Sequence, residues 1–425
     1  MKPPADQKRP IRVVVLGGGF GGLECARSLT DPRFAVTLVD RENHHLFQPL
    51  LYQVATAGLS APEIAQPIRM LVRGQENVTV LMDEATGIDL AARRVTLQQQ
   101  TLEYDYLVLA LGVRTGYFGH EDWAEHAPGL KSLDDATRIR SQVLRAFERA
   151  ESGHDKAEHD RLLTMVVVGG GPTGVEMAGA LAELSRKVLA EDFRRIRPEE
   201  AQVVLVEAGP RLLPMFAEDL SEYARQRLEK MGVRVRLNTM VKHIGPGRVD
   251  LDHDTLAAEN IIWAAGVEGA PLAKNLPVPH DRAGRLLVEP DLSLPGHPEV
   301  FALGDMVSLT DAKGIKVPGV APAASQMGRH AAQVIMAEVR HRERYEGPQE
   351  RAAFVYLDKG SMATIGRSSA VAAAFGLKFR GFPAWLMWLF VHLLFLVGFR
   401  NRVAVVIQWA YSYFTWRRGA RIITR

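Results

Sequence analysis

Cysteine is nearly absent: the chain has one, Cys25, in 425 residues. A single thiol cannot close an internal disulfide, form a Cys-x-x-Cys redox pair or furnish a four-cysteine metal site. Thiol–disulfide exchange is therefore excluded as the reaction, and a reducing compartment is compatible. Long hydrophobic runs are scarce too. Hydrophobic residues make up 47% and charged residues 24%, the balance of a globular chain. Disorder, collagen-like repeats and a polytopic membrane protein are excluded. No secretory signal is visible, because residues 1–10 are polar with three prolines and the apolar run Ile11–Leu16 is short and leads straight into glycines. No cluster of His, Asp or Glu has metal-ligand spacing, so no metal is expected. Cys25 reads as a small buried packing residue.

Acidic residues are missing from one region. From Gly360 onward there are none, against nine Lys and Arg, and the stretch holds Trp385, Trp388, Trp409 and Trp416 out of six tryptophans. Residues 1–359 are acidic on balance, with 43 basic and 49 acidic side chains. A basic, aromatic, apolar tail on an acidic body fits a membrane surface. It lacks the dense Lys/Arg runs that nucleic acid would favour, so no nucleic-acid partner is expected.

What is present is a doubled pattern. Ile11–Gly22 is a β-branched run, a glycine cluster and then helix formers; Thr164–Gly174 repeats the plan about 150 residues later. Each reads as a buried strand, a tight turn and a helix. Each is followed by a strand ending in an acid, Phe34–Asp40 and Gln202–Glu207, and Tyr106–Leu111, Asn260–Ala265 and Val300–Leu303 read as further strands. Strands alternating with helices predict an α/β fold with two Rossmann-like, doubly wound domains. Ser132–Ser152, Val175–Arg195 and Ala321–Arg340 read as helices and Phe354–Arg367 as a strand pair.

The first fingerprint is Gly17-x-Gly19-x-x-Gly22. The first glycine permits the turn, the second lets backbone approach a pyrophosphate, and the third lets helix pack on strand. Phosphates then meet the free N–H groups and dipole of a helix N-terminus. Asp40, 18 residues after Gly22, stands where a carboxylate can hold a ribose diol. The second fingerprint is Gly169-x-Gly171-x-x-Gly174, with Pro172 suited to a first helical turn. Its acid, Glu207, comes 33 residues after Gly174, later than the usual ~20. A carboxylate there accepts a ribose 2′-OH and repels a 2′-phosphate, favouring NADH over NADPH, although nearby Arg211 could accept that phosphate. Two dinucleotide sites imply electron transfer between nucleotides, and a flavin suits one of them. Gly304-Asp305 follows a short strand at the carboxyl edge of a sheet, where ligands bind; a turn cap is the other reading of Asp305.

These features resemble the two-dinucleotide-binding flavoprotein class. Within it, His44-His-Leu-Phe-Gln-Pro-Leu-Leu-Tyr-Gln53, Val317-Pro-Gly-Val-Ala-Pro-Ala-Ala-Ser-Gln326, Gly360-Ser-Met-Ala-Thr-Ile-Gly-Arg367 and the aromatic, basic tail resemble the type II NADH:quinone oxidoreductases. The resemblance spans about Ile11 to Arg418. It implies FAD on the first fingerprint, NADH on the second, and quinone as substrate. Gly17, Gly19 and Asp40 would hold the FAD pyrophosphate and ribose. Pro49, Leu50 and the chain to Tyr52 would flank the flavin ring, Asp305 would hold the ribityl chain, and Ala324 and Gln326 would approach the ring, Gln326 facing the quinone. The cofactor-binding set also includes Phe20, Arg41, Ala85, Gly112, Gly304, Thr173, Ala265 and Gly266. The family pattern Ala-Gln-x-x-x-Gln has Pro322 at its first glutamine here, which leaves Gln326 as the candidate amide.

Glu176 follows the second loop by two residues. It reads either as a helix N-terminal acid favouring the dipole or as a catalytic group turned toward nicotinamide and flavin. His44 and His45 precede the flavin-facing segment and read equally as polar loop residues. His330, at i+4 from Gln326, shares its face and reads as a proton relay or a surface histidine.

Gly381–Phe399 is 19 residues without a formal charge. As one helix it would run roughly 28 Å, close to a bilayer core. The arginines that follow would have to cross, against the positive-inside tendency. Two interfacial helices with a corner at Arg400-Asn-Arg402 and a second helix at Val403–Trp416 fit better; a core helix or a dimer interface is the alternative. The expected layout is an FAD-binding first part at 1–130, an NADH-binding domain at 131–285, a returning FAD part at 286–375 and membrane-associated helices at 376–425. The expected enzyme is a peripheral, non-pumping NADH:quinone oxidoreductase, a homodimer on the cytoplasmic face of a bacterial inner membrane. Its rivals are an NAD(P)H reductase of another acceptor such as ferredoxin and a membrane-tethered NADH sensor.

Overall fold

The computed structural model describes residues 9–347 and 349–423. Expectations that involve residues 1–8 and Arg425 lie outside it. The chain forms two compact units, one of Met1–His45, Gln66–Arg114 and Glu268–Asp358, the other of Leu46–Ala65, Thr115–Val267 and Lys359–Arg425.

The first unit is built on a six-stranded sheet in the order Ser293–Leu294, His297–Ala302, Tyr106–Leu109, Ile11–Leu16, Phe34–Asp40 and Val78–Met82. Only the edge pair Ser293–Leu294 with His297–Ala302 is antiparallel. Val13 stands between Val36 and Tyr106, and Val36 opposite Val78. The strands are valine- and leucine-rich because both faces are covered, as parallel sheets require. Val13, Val15, Leu38 and Leu107 are fully buried. Two helices, Phe20–Ser28 and Ala321–Arg342, pack closely through small residues. A Cβ on Gly328 would stand 2.1 Å from the Gly21 carbonyl oxygen.

The second unit holds a four-stranded parallel sheet in the order Val233–Arg236, Gln202–Val206, Thr164–Val168 and Asn260–Trp263. The Leu133–Ser152 helix starts with Ser132 and Asp135 capping each other's backbone N–H groups. The architecture is α/β, with a mostly parallel sheet in the first unit and a parallel one in the second.

Three local expectations are corrected. The helix expected over Val175–Arg195 runs from Pro172 to Glu183, loosens into a π-type turn at Leu184–Val188 and ends. Ser185 Oγ donates back to the Leu181 carbonyl, a competition for backbone that disturbs helices. The late position of Glu207 therefore reflects a loop as well as a helix. Of the strand pair expected over Phe354–Arg367, only Ser361–Thr364 is a strand; it pairs with Ala370–Ala374, which pairs with Leu377–Gly381. The Phe354 and Tyr356 N–H groups go instead to the Pro290 carbonyl and the Asp311 carboxylate.

The tail forms helices Phe382–Phe395 and Phe399–Thr415. The corner lies at Leu396–Gly398, earlier than Arg400–Arg402, because Gly398 at φ +90° takes a left-handed conformation that glycine alone adopts freely. Arg402 closes the corner by donating to the Leu394 and Leu396 carbonyls. Phe382, Leu386, Phe390 and Leu394, four residues apart, are exposed, as are Phe399, Val403, Ile407 and Phe414, while Trp388 and Val405 are buried. Among the described residues no helix is long and apolar enough to cross a membrane.

Candidate active site

In the first unit, Gly17 has φ +102°, and a Cβ there would stand 2.3 Å from the Ala110 carbonyl oxygen. A Cβ on Gly22 would stand 1.9 Å from the Gly17 carbonyl oxygen, whereas one on Gly19 would meet nothing within 4 Å among the described residues. The first and third glycines are thus required by packing, and the second leaves its approach open. Asp40 accepts from the N–H groups of Gly18 (2.5 Å) and Glu42 (2.8 Å). Burial pushes its pKa up from the ordinary carboxylate value, against these bonds.

The second unit repeats this. Gly169 has φ +112°, and its Cβ would stand 2.7 Å from the Ala264 carbonyl. A Cβ on Gly174 would stand 1.8 Å from the Gly169 carbonyl oxygen, and one on Gly171 would meet nothing within 4 Å among the described residues. Glu207 accepts from the N–H groups of Gly170 (2.5 Å) and Gly209 (2.6 Å). Pro172 occupies the first helical turn, where no N–H is needed, and Thr173 is exposed. A Cβ on Gly266, next to Ala265, would stand 2.7 Å from the Gly116 carbonyl and 2.8 Å from the Phe118 ring. Exposed Phe118 was not singled out in the sequence, and no periodicity marks it.

Several first-unit candidates meet around the glycine loop. The Cβ positions of Gly21 and Gly304 each lie 3.2–3.3 Å from atoms of Ala324, and Gly17 meets Ala110, which starts the turn to Gly112. Gly304 takes φ +73° at the end of the His297–Ala302 strand, and Asp305 follows it within a short helical turn. Phe20 is half-buried in the first helical turn. Arg41 is exposed, and Ala85 opens the antiparallel strand Ala85–Asp89. Pro49 and Leu50 belong to the second unit, where Leu50 is fully buried.

Gln326 is engaged at both ends: Nε2 donates to the Leu357 carbonyl (3.1 Å) and Oε1 accepts from the Leu357 N–H (2.9 Å). Pro322 lies in the first turn of that helix. His330 Nε2 lies 3.1 Å from the Ala352 carbonyl, and burial lowers its pKa. His45 is buried, with Nδ1 2.9 Å from the Gly18 carbonyl and Phe20 edge-on against its ring. Burial lowers its pKa, so the neutral ring donates from Nδ1 and holds the glycine loop. Its Nε2 has no hydrogen-bond partner among the described residues. This clamp was not legible in the sequence, since no spacing rule links a histidine to a loop 27 residues earlier.

Glu176 accepts from the Thr364 N–H at 3.3 Å, and burial raises its pKa to about 8. At pH 7 it is therefore mostly protonated. It lines a cavity of about 120 Å³ in the second unit with Tyr52, Thr364, Trp385, Trp388 and Trp409. Deeper in that wall Arg418 pairs with Glu183 and donates to the Thr56 carbonyl. Arg367 is sandwiched between Tyr413 and Trp416, 4.2 and 3.9 Å from the ring centres.

A pyridine nucleotide-disulphide oxidoreductase family model matches residues 11–328, and an NDH2 C-terminal domain model matches residues 359–418. The type II NADH:quinone oxidoreductase NdhA of Mycobacterium tuberculosis is 44% identical over 97% of this chain and 89% of its own. The chain belongs to the type II NADH:quinone oxidoreductase family. The related Ndh of the same organism is 43% identical, covering 100% of this chain and 92% of its own. An internal alternative NAD(P)H-ubiquinone oxidoreductase of Solanum tuberosum mitochondria is 30% identical, covering 95% and 86%. The fold matches NDH2 of Plasmodium falciparum in complex with NADH, with a TM-score of 0.88, 21% identity and coverage of 98% and 100%. Despite the disulphide in the first model's description, the sole cysteine here is buried within the core, so the family's two-nucleotide frame is present without a thiol pair.

Proposed function

We propose that the protein catalyses oxidation of NADH by a membrane quinone, with FAD as its resident electron carrier and without proton pumping. The supporting observation is the pair of matched loops, each with an acid gripping the N–H that follows its first glycine: Asp40 at Gly18 and Glu207 at Gly170. The family relationship assigns the direction of transfer.

The first loop suits FAD. The open approach at Gly19, the free N–H groups of the Phe20–Ser28 helix and Asp40 would hold its pyrophosphate and ribose, with Gly112, Gly304, Asp305 and Ala324 around it. Bound FAD would supply the two-electron chemistry, taking a hydride equivalent from NADH and passing electrons to quinone. On the second loop, Gly171, Thr173 and Glu207 would hold NADH, and the Glu207 carboxylate disfavours a 2′-phosphate. Arg211, whose guanidinium donates to the Pro214 carbonyl, is partly engaged elsewhere. Reduction of a quinone by NADH takes up one further proton, and Glu176, protonated at neutral pH, is a source of it. The exposed apolar face of the C-terminal helices, flanked by arginines, would lie on a lipid surface, where the quinone resides. A cytoplasmic location on a bacterial inner membrane, a homodimer and no nucleic-acid binding complete the proposal.

The test follows flavin absorbance in the purified yellow protein. NADH should bleach it far faster than NADPH, and quinone should restore the colour. A colourless polypeptide that cannot be reconstituted with FAD would sink the reading.

A further inference from the structure

The polar groups of the aromatic cavity form a chain whose direction is fixed as far as Tyr52. An indole nitrogen can only donate, and Trp409 Nε1 donates to Gln53 Oε1 at 2.8 Å. That sets the Gln53 amide, so Nε2 is the group that donates to the Tyr52 hydroxyl at 3.1 Å. Tyr52 is buried and Thr364 Oγ1 lies 3.1 Å away, a spacing at which either hydroxyl can donate; donation by Tyr52 is the direction that satisfies the buried phenol hydrogen. In that direction Thr364 Oγ1 accepts, and its own hydrogen is available to an acceptor in the cavity that Thr364 lines. The N–H of the same residue goes to Glu176 Oε1, which brings the hydroxyl and the carboxyl to one place. The walls are the rings of Trp385, Trp388 and Trp409. Hydrogen-bond donors in a cavity walled largely by aromatic rings suit an uncharged ring bearing a carbonyl oxygen.

We propose that Trp409, Gln53 and Tyr52 act as positioning residues that present the Thr364 hydroxyl, beside the Glu176 carboxyl, as a hydrogen-bond donor to a carbonyl oxygen of the quinone ring. This rests on the quinone-reductase reading and names the site and the donor. Without the indole N–H, the Gln53 amide is free to turn over and present its oxygen to Tyr52, whose hydrogen then turns to Gln53 and leaves the Thr364 hydrogen to turn back toward Tyr52.

The test uses the full-length, FAD-loaded enzyme and a short-tailed, water-soluble benzoquinone. Trp409→Phe removes the N–H and keeps an aromatic ring; Thr364→Val removes the hydroxyl at nearly constant volume; Thr364→Ser restores it. Steady-state kinetics give KM for quinone and for NADH, and calorimetry gives the quinone Kd of the oxidised enzyme without turnover. Trp409→Phe and Thr364→Val should each raise the quinone KM and Kd by about three- to tenfold, the worth of one hydrogen bond. The NADH KM should stay within about twofold, and Thr364→Ser should return the quinone Kd to the parent value. Unchanged quinone Kd in both variants, or a parallel rise in NADH KM, would overturn the assignment. If Trp409→Phe fails to fold, the Thr364 pair decides alone. Failure of the parent enzyme to reduce any quinone would instead defeat the underlying functional reading.

Discussion

Arg418 and Glu183 form a buried ion pair, Nη2 to Oε2 at 3.0 Å, with side chains only 12% and 13% exposed. It ties the chain just beyond the last helix to the end of the helix that begins at the second glycine loop. Arg418 also donates to the Thr56 carbonyl, so three distant segments of the second unit meet at one guanidinium. Removing Arg418 takes the paired cation from Glu183 and leaves it the bond from the Arg367 N–H; breaking a buried pair costs up to about 3–5 kcal/mol. Arg418→Ala should therefore lower the thermal midpoint by several degrees. Glu183→Gln combined with Arg418→Met should recover much of that loss. A melting curve of the single variant that overlays the parent would contradict this.

The pH dependence of turnover should report Glu176. Its folded pKa of about 8 lies above the ordinary 4.5, so the proton is present below pH 8 and lost above it. The rate of quinone reduction should fall about tenfold per pH unit above 8, and Glu176→Gln should slow turnover and flatten that limb. Stability carries the same sign. The folded state holds this proton more tightly than the unfolded chain, so stability should decline between about pH 4.5 and 8. Glu176→Gln should remove that decline in denaturant titrations.

The two glycine loops should fail independently. Gly22→Ala would place a Cβ 1.9 Å from the Gly17 carbonyl oxygen, and Gly174→Ala one 1.8 Å from the Gly169 carbonyl oxygen. Either loop must shift by more than 1 Å, and a displacement of that size can cost about 100-fold. Gly22→Ala should purify without yellow colour. Gly174→Ala should stay yellow and lose NADH-driven bleaching. Loss of colour in both would show that the loops do not serve separate nucleotides.

Membrane association should follow the exposed aromatic face. Phe390, Phe399 and Phe414 are 65%, 81% and 81% exposed, so changing them to Ser removes apolar surface without opening the core. The triple variant should stop co-sedimenting with lipid vesicles while still reducing a water-soluble quinone. Undiminished sedimentation would assign membrane contact to another surface.

The two glycine turns were legible in the chain's local spacing. Glycines at i, i+2 and i+5 after a β-branched run constrain backbone within one turn, and the clashes at Gly17, Gly22, Gly169 and Gly174 are local consequences of that spacing. Asp40 and Glu207 were legible for the same reason, because a strand of known length ends beside the loop. Tertiary structure decided the rest, since those pairings join residues far apart in the chain. It set Trp409 against Gln53, 356 residues away, and Arg418 against Glu183, 235 residues away. It turned the Gln326 amide onto Leu357 and placed His45 under the Gly18 carbonyl. It also moved the tail's corner to Gly398, where a left-handed backbone and the arginine cap coincide. Spacing along a chain fixes dihedral angles and faces; which buried donor meets which acceptor is settled only when packed elements exclude water and each polar group must find a partner.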